Sequence, residues 1–152
     1  MKTKDYLDRI ADALETIAGA LNKDAPGRPF ALGPENAYHW QGDSGTLLAV
    51  PRVSRVPLKM LKGIDHVRNL LLANSEQFAR GHGANNALLW GARGMGKSSL
   101  VKAIHADIES RAGFERLILV EIAREDLETL PTLMRTIAGL PERFIVFCDD
   151  LS

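Results

Sequence analysis

The sequence predicts an α/β fold in which a parallel sheet is flanked by helices. From Leu58 onward, short apolar runs alternate with segments that suit helices. The apolar runs are continuous, which is typical of strands that are buried on both faces of a parallel sheet. The chain has 152 residues, of which 45% are hydrophobic and 25% are charged, so it can bury the core of one globular domain.

Charge and cysteine content exclude several classes of protein. The 19 basic residues balance 19 acidic residues, so no overall charge attracts nucleic acid or an acidic membrane. Cys148 is the one cysteine of the chain, which excludes an intramolecular disulfide and a cysteine-based metal site. We therefore expect a cytoplasmic protein with no membrane partner.

Residues 1–22 are predicted to form an amphipathic helix. Its apolar residues recur at helical spacing, and carboxylates interrupt the segment too often for a signal peptide or a membrane span. The apolar residues are Leu7, Ile10, Leu14, Ile17 and Leu21. We favour packing of this helix on the rest of the chain, and docking on a partner is the alternative.

Residues 23–57 are predicted to be a linker, because prolines and glycines interrupt them every few residues. At most one short strand is expected there, at residues 46–50. Basic residues follow at Arg52, Arg55, Lys59, Lys62 and Arg68. Without interleaved aromatic residues, this cluster indicates a solvated surface and not a nucleic-acid site.

The expected main domain spans residues 58–152. It begins with one helix, and five further elements follow in the order β-α-β-α-β. That helix is predicted over about 66–80, with Asp65 as its N-cap. The later elements are strand 87–90, helix 97–111, strand 117–122, helix 131–138 with Pro131 in its first turn, and strand 144–148. Trp40, Trp90 and Cys148 are expected to be packing residues.

The turn between strand 87–90 and the next helix contains a phosphate-binding loop pattern, or Walker A motif. Glycines let the backbone N–H groups of such a loop point at the β-phosphate, which then meets the N-terminus of the helix. Lys97 adds a charge for the β- and γ-phosphates, and the Ser98 hydroxyl is suited to Mg²⁺. The predicted nucleotide-binding residues are Gly91, Ala92, Arg93, Gly94, Met95, Gly96, Lys97, Ser98 and Ser99.

Two aspartates follow the last predicted strand, in the place of a Walker B motif. Ligands of open α/β sheets bind outside the carboxyl ends of the strands, so we expect Asp149 to hold Mg²⁺ together with Ser98. Asp150 is expected to orient the attacking water, as a catalytic residue beside Lys97. A solvated turn is the alternative for an isolated Asp-Asp pair.

Several longer stretches are more specific than the loop alone: Gly63-Ile64-Asp65, Asn74 to Phe78, Ala84 to Gly94, Gly96 to Ala103, and Arg143 to Ser152. With them, residues 58–152 resemble a family of bacterial predicted ATPases of the AAA+ superfamily that is classed as a domain of unknown function. The resemblance implies a P-loop NTPase fold, ATP binding and Mg²⁺-dependent hydrolysis, with Ile64 beside the adenine. Met95 stands where threonine is usual, and Asp150 stands where the wider superfamily has glutamate.

The resemblance also implies parts that would follow Ser152: a polar sensor strand, an arginine finger from a neighbouring subunit, and a helical lid. The complete module is then expected to be a homo-oligomer, and this chain is expected to be truncated and to bind ATP better than it hydrolyses it. A nucleotide-gated interaction module with negligible turnover is the main alternative. A small-molecule P-loop kinase is a weaker one, and the guanine-reading motif of GTPases is missing from the sequence. The client protein stays unidentified.

Overall fold

The computed structural model describes residues 10–14, 31–89 and 96–149. The chain divides into two compact units, Met1–Ala31 and Leu32–Ser152. In the first unit the described residues, 10–14, are helical, and the side chains of Ile10 and Leu14 are exposed. The remainder of the predicted N-terminal helix lies outside the described residues.

The second unit contains a four-stranded mixed sheet flanked by helices, in the strand order β2-β1-β3-β4. The strands are β1 (Ala37–Gln41), β2 (Thr46–Ala49), β3 (Leu117–Ile122) and β4 (Arg143–Cys148). β1 and β4 lie on either side of β3 and are both parallel to it, whereas β2 is antiparallel to β1. The molecule therefore has an α/β architecture, as predicted, but its sheet is mixed and not purely parallel.

The three main helices of this unit lie close to their predicted bounds. They are α1 (Asp65–Ala79), α2 (Lys97–Glu109) and α3 (Leu130–Ala138), and 3₁₀ turns span Leu58–Met60 and Arg124–Thr129. The prediction of Asp65 as an N-cap is wrong, because Ile64 is the cap residue and Asp65 begins the helix and pairs with Arg68 at 2.9 Å. Among the described residues no helix combines the length and hydropathy that crossing a membrane requires.

Strand β1 corrects the prediction that residues 23–57 are a linker with at most one strand. Its apolar side chains Ala37, Tyr38 and Trp40 are buried, and its hydrogen-bonding partner β3 lies about eighty residues away in sequence. The glycine-rich stretch after it is a hairpin turn, in which Gly45 has φ of +64° and donates to the Gln41 carbonyl at 2.9 Å. The pattern of turn residues was correctly recognised, and the predicted short strand at residues 46–50 is confirmed as β2. The strand before the turn, β1, was not predicted.

The structure also corrects the prediction of a strand at residues 87–90. Residues 87–89 form no strand, and the Leu88 side chain is 62% exposed; Trp90 lies outside the described residues. The free edges of the described sheet are the outer edges of β2 and β4, and residues 87–89 pair with neither of them. Of the expected β-α-β-α-β series, the described chain thus contains the part from α2 to β4.

The core lies between α1, α2 and the sheet. Ala79 of α1 and Leu117 of β3 pack with the buried face of α2, which consists of Leu100, Ile104 and Ile108. On the other side of the unit Trp40 is fully buried, and its Nε1 donates to Thr129 Oγ1 at 2.8 Å, in agreement with its predicted packing role. Cys148 is only half-buried.

Candidate functional site

The contacts between α2 and β3 define the direction of the helix. Near the middle of α2, Lys102 Nζ lies 3.8 Å from Glu121 Oε2 at the end of β3. Further along, His105 Nε2 lies 2.8 Å from the Leu117 carbonyl oxygen, and the Leu117 N–H donates to Glu109 Oε1 at 3.0 Å. Since Leu117 begins β3, α2 runs antiparallel to the strand. Its N-terminus therefore points towards the carboxyl edge of the sheet.

The first turn of α2 begins at a glycine. Gly96 is the N-cap residue, with φ of +81° in the left-handed region that favours glycine, and its carbonyl accepts the Leu100 N–H at 2.8 Å. Within the described residues no side chain caps the helix, and its first turn contains no acidic residue. The N–H groups and the positive end of the helix dipole thus favour a bound anion.

Ser98 has an unusual environment in this first turn. Its Oγ is buried and has no hydrogen-bond partner among the described residues. A buried hydroxyl of this kind costs about 1–3 kcal/mol unless a ligand or water satisfies it. Ser98 lies one turn before Lys102, whose ammonium is 5.9 Å from the centre of the Phe147 ring, so this face of α2 covers β3 and β4. The Ser98 hydroxyl is therefore suited to a ligand at the carboxyl edge that binds to its oxygen atom.

Asp149 directly follows β4 and is exposed at the same edge of the sheet. It lines a cavity of about 350 Å³, and residues in or just after each of the three parallel strands line the same cavity. Other residues that line this cavity are His39 of β1, Glu121 of β3, and Arg124 and Glu125 after β3. The direction of α2 and the end of β4 thus bring Ser98 and Asp149 to one edge of the sheet.

The remaining predicted site residues are distributed as follows. Lys97 and Ser99 are half-buried in the first turn of α2. Ile64, the N-cap of α1, is partly buried and packs against the core cluster that includes Leu100. The residues from Gly91 to Met95, and Asp150, lie outside the described residues.

Three carboxylates, those of Asp149, Glu121 and Glu125, line this edge together with the guanidinium of Arg124. The pKa of the Cys148 thiol is raised, chiefly by burial and then by these carboxylates, whereas Arg124 acts in the opposite direction. Within the described residues, however, no group of three or more histidine, cysteine or carboxylate side chains is arranged to hold a metal ion by itself. A cation here would need oxygen atoms from a bound ligand as well.

A family model described as "Protein of unknown function (DUF815)" matches residues 34–152, which is most of the chain. The chain belongs to this family. No curated protein and no solved structure gives a significant match to it. The DUF815 match begins just before β1, so the matched region includes the hairpin of β1 and β2, and not only the part after residue 58.

In this DUF815 protein, sequence analysis missed two residues of the edge, His39 and Glu121. Glu121 could have been noticed, because it is the one charged residue in the apolar strand Leu117–Ile122 and a charge there needs a partner. Lys102 is that partner. His39 was missed because β1 itself was not predicted.

Proposed function

We propose that this chain binds ATP with Mg²⁺ through residues 91–99 and that the protein is an AAA+-type P-loop ATPase. The observation that carries the proposal is the start of α2, where a helix N-terminus without a side-chain cap among the described residues and the buried Ser98 hydroxyl lie at the carboxyl edge of the sheet. A triphosphate supplies the negative charge and the oxygen atoms that this arrangement lacks. The AAA+ assignment itself rests on the sequence resemblance.

In this proposal the polyphosphate lies against the first turn of α2. The backbone N–H groups of the loop and of α2 donate to the phosphate oxygens, and Lys97 adds its ammonium charge. Gly96 suits this role because the backbone enters the helix with a positive φ, which strains any residue that has a side chain. The requirement comes from the backbone and not from lack of space, since a Cβ there would meet no atom within 4 Å. Ile64 provides an apolar contact for the adenine, at the end of α1 that packs near Leu100.

Ser98 and Asp149 are the residues that would hold Mg²⁺. Both supply oxygen atoms, and Mg²⁺ is normally held by one or two protein oxygens together with phosphates and water. When bound, the ion would neutralise part of the charge on the phosphates. The need for ligand oxygens agrees with the absence, among the described residues, of a cluster that holds a metal alone.

Hydrolysis is assigned to Asp150 and Lys97. Asp150 would orient a water molecule by accepting a hydrogen bond from it, and Lys97 would stabilise charge on the transferred phosphoryl group. We expect the protein to form a homo-oligomer, with a neighbouring subunit contributing to each site. The cytoplasmic location stays a prediction from the sequence.

Substitution of Lys97 tests the proposal. Lys97→Ala removes the ammonium group and should weaken ATP binding by roughly 1.5–3 kcal/mol, the range for a hydrogen bond to a charged group. Lys59→Ala is the matched control, because Lys59 is an exposed lysine on the 3₁₀ turn before α1. Isothermal titration calorimetry with MgATP measures both, and circular dichroism checks that they fold. Equal affinities for Lys97→Ala and the wild type would exclude the loop as the nucleotide site.

A further inference from the structure

The side chain of Asn74, on α1, is paired with the backbone of Asn85. Asn74 Nδ2 donates to the Asn85 carbonyl at 2.7 Å, and the Asn85 N–H donates to Asn74 Oδ1 at 3.0 Å. Both backbone polar groups of one residue, the N–H and the carbonyl of Asn85, are thus bound by one side-chain amide, as they would be by a neighbouring strand. Asn85 lies in the segment that leads into the predicted phosphate loop.

A second amide on α1 holds the same segment. Gln77 Nε2 donates to the Gly83 carbonyl at 2.7 Å. Gln77 lies three residues after Asn74, so both side chains project from one face of α1. Because Gly83 meets Gln77 and Asn85 meets Asn74, the segment runs against the direction of α1, towards the end that begins at Ile64. We call Asn74, Gln77 and residues 83–85 the amide clamp.

The amide clamp replaces pairing in the sheet for this part of the chain. Residues 83–89 form no strand, so no ladder of backbone hydrogen bonds fixes their path. Gly83, Asn85 and Leu88 are all exposed, and little apolar burial holds them either. The described contacts that determine where this segment runs are therefore the amide hydrogen bonds to α1.

The helix that carries the clamp is itself attached to α2. Ala79 of α1 and Leu100 of α2 share one core cluster, and Arg111, just after α2, forms ion pairs with both Glu76 of α1 and Asp107 of α2. The predicted loop ends at the first turn of α2. The chain before the predicted loop is thus attached to α1 at residues 83–85, and the chain after the loop is α2. The two helices pack together.

We propose that Asn74 and Gln77 are positioning residues for the phosphate-binding loop; this inference rests on the proposed ATP site. By holding residues 83–85 against α1, they fix the point from which the chain enters the phosphate-binding loop, so less of the binding free energy is used to order that part of the chain. Neither residue needs to touch the nucleotide. Their loss weakens nucleotide binding because residues 83–85 must then be ordered when the nucleotide binds.

The test compares two identical substitutions at different places on α1. Asn74→Asp keeps the size of the side chain and the acceptor for the Asn85 N–H, but it loses the donor and places a carboxylate beside the Asn85 carbonyl. Asn69→Asp introduces the same charge at an exposed position of the same helix, outside the clamp. We expect Asn74→Asp to raise the Kd for MgATP roughly three- to thirty-fold, in line with the loss of one or two hydrogen bonds. Asn69→Asp should bind as the wild type does.

Hydrogen exchange of the nucleotide-free proteins provides a readout that does not depend on binding. In Asn74→Ala, amides of residues 83–99 should exchange faster than in the wild type, while those of β3 should keep their protection. If Asn74→Asp does not fold, Gln77→Ala repeats the binding test, because the Gln77 side chain is exposed and contributes little to the core.

The outcomes separate this inference from the proposed function. If the wild type binds MgATP and Asn74→Asp binds it equally well, the positioning role is wrong and the ATP site stands. If the wild type itself does not bind MgATP, the ATP site is wrong and the positioning role falls with it. Unchanged hydrogen exchange in Asn74→Ala would overturn the clamp in either case.

Discussion

The buried side chain of His105 joins α2 to the start of β3 through a 2.8 Å contact between its Nε2 and the Leu117 carbonyl oxygen. Its Nδ1 lies 3.3 Å from Nη2 of Arg55, which comes from the segment between β2 and α1. A neutral ring satisfies both contacts, with Nε2–H donating to Leu117 and Nδ1 accepting from Arg55. Burial is the largest cause that lowers the pKa of His105 below its usual 6.5, and the charge of Arg55 acts in the same direction.

The lowered pKa predicts a pH dependence of folding stability. Below about pH 6.5 the histidine of the unfolded chain binds a proton more readily than the buried one, so the free energy of unfolding should fall as the pH is lowered through that value. Above it the contribution is constant. Urea unfolding at several pH values between about 5 and 8 measures this slope. His105→Gln, which cannot titrate, should have a smaller slope, and an equal slope in both proteins would contradict the prediction.

Asp149 is predicted to make ATP binding depend on magnesium. Asp149→Asn keeps the shape of the side chain but removes the charge that favours Mg²⁺, so the gain in ATP affinity on adding magnesium should shrink roughly ten-fold or more. Binding in EDTA should change little. The control is Asp43→Asn, at an exposed position of the turn between β1 and β2. The assignment would be lost if Asp149→Asn kept the full magnesium response.

Arg116 is predicted to stabilise the docking of β1. Its guanidinium donates to the carbonyls of Gly33 at 2.5 Å and Glu35 at 2.6 Å, and to Asn36 Oδ1 at 2.9 Å. Arg116→Lys keeps the charge but cannot serve these acceptors with one ammonium group, and we expect a loss of about 1–2 kcal/mol in the free energy of unfolding. Arg52→Lys, at an exposed position, should cause no loss. Equal urea midpoints for the two variants would refute this role.

The hydrogen bond from Trp40 Nε1 to Thr129 Oγ1, at 2.8 Å, links β1 to the turn before α3. Trp40→Phe should lower the free energy of unfolding by about 1–3 kcal/mol, because it leaves a cavity as well as removing the donor. A double-mutant cycle with Thr129→Val isolates the hydrogen bond, and a coupling energy of about 0.5–1.5 kcal/mol is expected. A coupling near zero would mean that the loss comes from packing alone.

The elements that sequence analysis predicted well have strong local signals. α1 and α2 show apolar residues at helical spacing, α3 has Pro131 in its first turn, and β3 is a continuous apolar run. The start of α2 is also local, since a glycine before a lysine and a serine is enough to end the loop and begin the helix. Lys97 and Ser98 could therefore be assigned to that helix start without knowledge of the fold.

The elements that were missed depend on partners that are distant in sequence. β1 is a strand because it pairs with β3. The alternation of Tyr38 and Trp40 with polar residues favours a strand, but over five residues between segments rich in proline and glycine this signal is too short to distinguish β1 from a linker. Residues 87–89 have the composition of a strand, yet they pair with neither of the free edges of the described sheet, which belong to β2 and β4. The strand propensity of a segment cannot show whether it finds a partner.

By itself the sequence determined the α/β class, the helices, the last two strands and the residue types of the candidate site, because periodicity, caps and glycine spacing act over a few neighbouring residues. Only the tertiary structure decided that β1 joins the sheet, that His39 and Glu121 lie beside Asp149, and that Asn74 holds the segment before the loop. These relationships join residues that are far apart in the chain. They exist because backbone donors and acceptors and buried charges must find partners wherever the packed chain places them.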